Sequence, residues 1–179
     1  MAKEYFVVTA IGPDRRGIVA KITAVLVGLS ANIEESSMER LGGEFAAMLL
    51  ISVNNSSRQQ IEAALAQQNQ DQVHIFVKQT DLSRGKIFEG FVPYQISVIG
   101  ADHEGIINSV SEYLATVKIQ IEEMDTEVVP APITGTPLFT LSAEVQVPPE
   151  IRFSELEENL LELGDELGVE IEVKQAGVI

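Results

Sequence analysis

The chain contains one motif twice, and this internal repeat limits its possible folds more than any other feature. Residues 11–35 (IGPDRRGIVAKITAVLVGLSANIEE) align without a gap with residues 99–123 (IGADHEGIINSVSEYLATVKIQIEE). Nine of the 25 aligned positions are identical. In a chain of 179 residues this predicts a tandem duplication of one unit of about 80–90 residues, which is large enough to bury its own core.

The first copy has the pattern of two helices and four strands. Apolar residues recur at helical spacing over residues 18–29, which indicates an amphipathic helix with one buried face. A second helix is predicted after Ser57, because Ser57 and Gln60 have the spacing of a capping box. Strands are predicted at four β-rich runs, with a glycine turn between the middle two: 5–11, 32–39, 44–53 and 72–79.

The second copy repeats this order. Helices are predicted over residues 106–117 and after Ser154, whose spacing to Glu157 is again that of a capping box. A longer loop with three prolines, residues 128–137, replaces the tight glycine turn. Strands are predicted at 94–99, 118–127, 138–147 and 168–174.

The order βαββαβ in both copies predicts an α+β protein made of two tandem ferredoxin-like units. Each unit is expected to have an antiparallel four-stranded sheet with both helices on one face. We assign residues 1–80 to the first domain, 81–91 to a linker and 92–179 to the second domain. Because one face of each sheet has no helix to cover it, we expect the units to pack together or the chain to form a homo-oligomer.

The charge is distributed unevenly along the chain. Residues 1–90 carry a net charge of −1, whereas residues 91–179 carry −14. An acidic half repels phosphate groups, so direct binding to nucleic acid is not expected. The acidic half is either a solvated surface or a docking face for a basic protein, for instance a DNA-binding regulatory protein.

The residue types favour a protein without catalytic activity. The chain has no cysteine and two histidines, so we expect no metal centre, no cofactor and no nucleophile–base set. Glu34–Glu35 and Glu122–Glu123 are adjacent carboxylates, but neighbouring strand residues should point to opposite faces. No run of residues is long and apolar enough to span a membrane, and the N-terminus does not resemble a signal peptide, so a cytoplasmic protein is expected.

Three motifs resemble the ACT domain: I-G-x-D-x-x-G-I from Ile11, N-I-E-E-S from Asn32 and L-G-G-E-F from Leu41. The resemblance covers roughly residues 4–175. Two such domains in tandem resemble the family of glycine cleavage system repressors and their stand-alone relatives. This resemblance implies a non-enzymatic regulator that senses a small amino acid, glycine or a similar one, and acts through a DNA-binding protein.

The loop after the first strand is the candidate ligand site. Glycines allow a sharp turn and a close approach of ligand to backbone. A helix predicted to start near Arg15 would offer free N–H groups to a carboxylate, and Asp14 could accept a hydrogen bond from an ammonium group. The resemblance implies that Asp14 and Asn32 line a site at an interface between ACT domains. The candidate ligand-binding residues are Gly12, Asp14, Arg15, Gly17, Ile18 and Asn32.

Alternatives remain open at each of these positions. Asp14 is equally well placed to cap the first helix without touching a ligand. The second copy offers a possible second site, although Gln120 is one methylene longer than the asparagine at the matching position. His103 is expected to be solvated and His74 to lie on a strand face. The residues of the possible second site are Gly100, Asp102, Gly105, Ile106 and Gln120. The alternative function is an interaction module that binds no ligand and works only through its protein surfaces.

Overall fold

The chain divides into two units, Met1–Gly85 and Lys86–Ile179. The computed structural model describes residues 3–54, 57–66, 72–82, 90–131 and 135–176. Residues 83–89, most of the predicted linker, lie outside the described residues, so the linker boundaries stay a prediction.

The first unit has the predicted order βαββαβ. Its strands pair in the order β2-β3-β1-β4, and all neighbours are antiparallel. Phe6, Leu26 and Leu49 are among the side chains that fill the core between the sheet and the helices. The elements are β1 (Glu4–Pro13), α1 (Ile18–Gly28), β2 (Asn32–Leu41), β3 (Glu44–Val53), α2 (Arg58–Ala66) and β4 (His74–Thr80).

The second unit repeats this topology with the strand order β6-β7-β5-β8. The predicted loop 128–137 is shorter than expected, because β6 and β7 stay paired as far as Pro130 and Pro137. The two units therefore confirm the predicted α+β fold. The elements are β5 (Val92–Ala101), α3 (Ile106–Thr116), β6 (Gln120–Pro130), β7 (Pro137–Val147), α4 (Phe153–Leu167) and β8 (Val169–Gln175).

Two local predictions in the first unit are confirmed. The backbone N–H of Ser57 donates to Gln60 Oε1 at 2.7 Å, and the N–H of Gln60 donates to Ser57 Oγ at 3.3 Å, which is the predicted capping box. Gly42 and Gly43 both have positive φ, 59° and 89°, as a tight hairpin between β2 and β3 requires.

The capping box predicted for Ser154 is wrong. Helix α4 begins at Phe153, and its N-cap is Arg152, without a hydrogen bond from a capping side chain among the described residues. The Phe153 ring stacks on Tyr94 with 5.6 Å between centroids, so packing rather than a side-chain cap places the start of this helix. Its exposed face is acidic as predicted, with Glu155, Glu158, Glu162 and Asp165 all exposed.

The uncovered faces of the two sheets differ in character. The first carries exposed apolar side chains, including Ile11, Met48 and Phe76 at 44%, 56% and 64% exposure. On the second sheet, acidic residues alternate with the core residues and so lie on the uncovered face. These six exposed acids are Glu123, Asp125, Glu127, Glu144, Glu170 and Glu172.

Candidate ligand-binding loops

Asp14 is held by the β2–β3 hairpin. Its N–H donates to the Gly43 carbonyl at 3.0 Å, and its Oδ2 lies 2.7 Å from Arg40 Nη2. The interpretation of Asp14 as a helix cap is wrong, because the N-cap of α1 is Gly17 and no described side chain caps this helix. Asp14 lies three residues before that cap, too early in the chain to reach the first N–H groups of a helix that begins at Ile18.

A left-handed glycine ends the loop in each unit. Gly17 has φ 85°, Gly105 has φ 99°, and each is the N-cap of the helix that follows. No described atom lies within 4 Å of a Cβ built on either glycine, so the backbone conformation alone requires glycine here. The N–H of Ile18, the first residue of α1, donates to the Arg15 carbonyl at 3.4 Å. With no capping side chain among the described residues, the other N–H groups of the first turns of α1 and α3 are available to solvent or to a ligand.

Gly12 and Gly100 have a different role from the one predicted. Both lie inside strands rather than in the turn, paired with Phe45 and Phe139. A Cβ on Gly12 would come within 2.7 Å of the Gln72 carbonyl oxygen, and one on Gly100 within 2.6 Å of Val169 Cγ1. Close packing against the start of the last strand accounts for both glycines.

The Arg15 side chain contacts the segment just before β4, which also lies against Gly12. Arg15 precedes the helix rather than starting it, and its Nη2 donates to Gln72 Oε1 at 3.3 Å. Ile18 and Ile106 are core residues, 8% and 1% exposed. These two isoleucines therefore anchor the first turn of each helix.

The sheet separates Asn32 from the loop within one unit. Asn32 pairs with Ser52, which pairs with Tyr5, whereas Gly12 pairs with Phe45. Tyr5 and Gly12 are seven residues apart on β1, a distance of about 23 Å at about 3.3 Å per residue. Within a single unit Asn32 therefore lies away from the loop, because β2 runs parallel to β1 and begins at the end of the sheet opposite the loop. Its place in a site between two ACT domains stays a prediction.

The same separation holds in the second unit. Gln120 pairs with Gln146, which pairs with Pro93, at the end of the sheet away from Gly100. A concavity of about 550 Å³ lies beside the loop and the first turns of α3. Its lining includes the candidates Asp102, Gly105 and Ile106, together with residues that were not predicted, among them Asn108, Ser111 and Phe139.

His103 is exposed as expected, but its ring is not free in solvent. Nε2 lies 2.8 Å from the Leu167 carbonyl oxygen, and Nδ1 lies 3.0 Å from the Glu104 carbonyl oxygen. These backbone hydrogen bonds raise the pKa of His103 above 6.5, and the charge of Asp102 raises it further, while burial acts in the opposite direction. His74 is the exposed first residue of β4.

The adjacent carboxylates Glu34 and Glu35 lie on one face, contrary to the prediction. The strand register shifts between Ile33 and Glu35, and such a bulge interrupts the alternation of side chains. Glu35 lines a concavity of about 440 Å³ on the uncovered face of the first sheet, with Val7, Met48 and Leu50 among its neighbours. The register shifts at the same place in the second unit, between Ile121 and Glu123.

Glu34 is nevertheless unsuited to acid catalysis. Its Oε1 accepts hydrogen bonds from Lys3 Nζ at 2.6 Å and Ser52 Oγ at 2.5 Å. The hydrogen bonds from Lys3 and then from Ser52 lower the pKa of Glu34 to about 2. A general acid needs a pKa near the working pH, so this carboxylate acts as a hydrogen-bond acceptor that ties the N-terminal segment to β2.

Arg40 and Gln72 are the loop partners that the sequence did not reveal. Arg40 is 26 residues from Asp14, and Gln72 is 57 residues from Arg15. In the sequence, only the tight hairpin at Gly42–Gly43 indicated where Arg40 would lie. A turn of that length returns β3 beside β2 and so sets Arg40 opposite Phe45.

Two further properties concern the described part of the chain. Over these ranges, no three His, Cys, Asp or Glu residues are grouped so that they could hold a metal ion. None of the described helices has the length and apolar character needed to cross a membrane.

Comparison with known proteins agrees with the two-unit architecture. The ACT domain family model matches residues 4–78 and 93–174, one match in each unit. The solved structure of an unknown protein from Galdieria sulphuraria is 32% identical in sequence. It superposes with a TM-score of 0.87, covering 98% of this chain and 100% of that chain.

Two curated relatives match shorter stretches. UPF0237 protein YjhC of Lactococcus lactis subsp. lactis (strain IL1403) is 39% identical over 64 residues, 36% of this chain and 74% of that protein. The glycine cleavage system transcriptional repressor of Escherichia coli (strain K12) is 39% identical over 64 residues, 36% of this chain and 34% of the repressor. This chain thus matches about a third of the repressor's length. With one match in each of its two units, the chain belongs to the ACT domain family.

Proposed function

We propose that this protein is a regulator that binds a small amino acid at the loop after β1 and transmits its binding to a protein partner. The observation that supports this most is the pairing of Asp14 with Arg40 beside the start of α1. A free amino acid is a zwitterion, and this loop offers it a carboxylate for the ammonium group. The guanidinium of Arg40 and the N–H groups at the start of α1 suit its carboxylate.

The exposure of the two side chains suits an exchange of partners. The Asp14 side chain is 26% exposed and that of Arg40 is 73% exposed, so a ligand reaches both without disturbing the core. The name of the matched relative, a glycine cleavage system transcriptional repressor, makes glycine the first amino acid to test. No catalytic step is assigned to the protein.

Isothermal calorimetry with glycine and then the other standard amino acids tests this proposal. Asp14→Asn and Arg40→Gln should each weaken binding by roughly tenfold, the loss of one charged hydrogen bond. Arg58→Gln is the matched control, because Arg58 makes a similar 2.7 Å surface pair with Glu62 on α2. If no standard amino acid binds, or if all three variants bind like the wild type, the proposal is wrong.

Asn32 enters this site only through association of two copies. It lies at the far end of its own sheet, so a second copy of the chain must bring it to the loop. We therefore include a homo-oligomer in the proposal, and sedimentation with and without the bound amino acid measures it. If the ligand-bound protein is a monomer and Asn32→Ala binds normally, Asn32 does not belong to the site.

The acidic surfaces of the second unit support a second candidate function, docking of a basic protein such as a DNA-binding regulator. Six carboxylates lie on its uncovered sheet face, and four more line the exposed face of α4. Charge complementarity of this kind accelerates association and weakens as salt rises. Glu158→Lys with Glu162→Lys should slow association with a polylysine probe and leave amino-acid binding unchanged. Equal association by the variant and the wild type would overturn docking at α4.

A further inference from the structure

The hydrogen bonds of His103 connect the loop between β5 and α3 to a distant helix. Nε2 lies 2.8 Å from the carbonyl oxygen of Leu167, the last residue of α4, and Nδ1 lies 3.0 Å from the Glu104 carbonyl oxygen. The Leu167 carbonyl is one of the four at a helix C-terminus that have no partner inside the helix. The imidazole therefore joins two segments that are 64 residues apart.

Both contacts are to oxygen atoms that can only accept. A neutral imidazole has one N–H group, so one of its nitrogens would face a carbonyl oxygen with a lone pair. The imidazolium has two N–H groups and satisfies both carbonyls, and its positive charge suits the negative end of the α4 dipole. The arrangement is complete only when the ring is protonated.

The charged groups on the surrounding segments favour the same state. Asp102 and Glu104 flank the histidine in the loop. Asp165 and Glu166 lie in the last turn of α4, and Glu170 lies near the start of β8. The charged side chains on these three segments are acidic, apart from His103 itself and the basic residue near the far end of β8, Lys174.

The first unit makes the equivalent connection with a side chain that does not titrate. Arg15 occupies the position that His103 has in the second repeat, and it donates to Gln72 Oε1 just before β4. An arginine stays charged at any physiological pH, whereas a histidine changes its charge between about pH 5 and 8. In both repeats, therefore, a side chain of this loop hydrogen-bonds to the segment just before the last strand of its unit. Only in the second repeat can that side chain lose its charge near neutral pH.

We propose that His103 is a proton-operated latch, which holds the loop between β5 and α3 against the C-terminal end of α4 while its ring carries two N–H groups. Loss of one proton leaves one N–H group for two carbonyl oxygens, so the ring loses either its bond to Leu167 or the bond to Glu104 that orients it, and the connection between the loop and α4 weakens. His103 lines the concavity of about 550 Å³ beside this loop. The shape of the concavity therefore changes when the ring gains or loses its second proton. This last consequence rests on the proposed function, since the loop is the second unit's counterpart of the proposed amino-acid site.

Nuclear magnetic resonance on the full chain without any amino acid tests the latch. His74→Gln removes the other histidine, so that the remaining ring signals belong to His103. We expect this ring to titrate above the 6.5 of an unperturbed imidazole. The amide of Asp102, which donates to the Pro137 carbonyl oxygen, and the amides in the last turn of α4 should lose protection against hydrogen exchange by roughly tenfold as the ring deprotonates.

Two variants separate the latch from a merely structural contact. His103→Arg, which copies the first unit, should keep the protection at both low and high pH. His103→Gln should lack this protection at both low and high pH. If His103→Gln does not fold, the comparison of the wild type with His103→Arg decides the question. Titration of His103 at or below 6.5, or wild-type protection that does not change with pH, would overturn the proposal. Because no ligand is present, failure of amino-acid binding leaves this result unaffected.

Discussion

Asp14 and Arg40 form an ion pair, with 2.7 Å between Oδ2 and Nη2, that joins the loop after β1 to the end of β2. Exposed pairs of this kind contribute at most about 1 kcal/mol to stability. The pair therefore contributes little to the stability of the fold, as the proposed exchange of partners with a ligand requires, and stability measurements test this.

Asp14→Ala should destabilise the protein less than Ser57→Ala does. Asp14 caps no helix, so its loss removes only a surface pair, at a cost below about 1 kcal/mol. Ser57→Ala removes one half of a hydrogen-bonded capping box, at a cost of about 1 kcal/mol. Urea unfolding of both variants measures the difference. A larger loss in Asp14→Ala would show that the residue supports the loop itself.

Gly12→Ala and Gly100→Ala should each destabilise the protein by about 1–3 kcal/mol, because the new Cβ overlaps atoms at 2.7 Å and 2.6 Å. Gly28→Ala is the matched control, since no described atom lies within 4 Å of its Cβ and alanine favours the helix by about 0.5–1 kcal/mol. Val169→Ala should partly rescue Gly100→Ala by removing the nearest methyl group. Thermal unfolding checks all four, and a neutral Gly12→Ala would contradict the close packing.

Glu34 should make the stability of the first unit depend on pH in the acid range. Hydrogen bonds from Lys3 and Ser52 lower its folded-state pKa from 4.5 to about 2. The stabilisation is therefore complete above about pH 4.5 and is lost as pH falls toward about 2. Between about pH 4.5 and pH 2, the free energy of unfolding of the wild type, measured with urea, should fall toward that of Glu34→Gln. Ser52→Ala should retain part of the dependence, and a constant advantage down to pH 2 would refute this assignment.

His103 should produce the opposite dependence in the second unit. Its folded-state pKa is raised above 6.5, so its stabilisation is complete below about pH 6.5 and is lost as pH rises through the folded-state pKa. Wild-type stability measured against His103→Arg should therefore fall as the pH rises above about 6.5 and through the folded-state pKa. Parallel stability curves for the two proteins would contradict this expectation.

The purified protein should not bind DNA at physiological ionic strength. Residues 91–179 carry a net charge of −14, and six carboxylates lie on the uncovered face of the second sheet. Approach to phosphate then adds repulsion instead of releasing counterions. Fluorescence anisotropy with a labelled duplex measures this, with a basic protein as the positive control. Saturable binding to DNA by the protein alone would contradict the interpretation of its charge.

The sequence by itself determined the features that depend on neighbours along the chain. The gapless repeat predicted two units, and the spacing of apolar residues predicted which faces of the helices are buried, such as Leu156 and Leu160 on α4. The Ser57 capping box and the Gly42–Gly43 turn involve contacts within four residues. Such contacts are set by local backbone geometry, which a short pattern of residue types specifies.

Only the tertiary structure decided which side chains meet in the loops. Arg40 reaches Asp14, and Leu167 reaches His103, because strand register and the packing of α4 bring segments 26 and 64 residues apart together. The same register carried Asn32 to the far end of the sheet, although it follows the first helix closely in sequence. Bulges in β2 and β6 also broke the alternation that the sequence pattern assumed. Long-range pairing depends on how whole strands and helices pack, and no local pattern of residues encodes that arrangement.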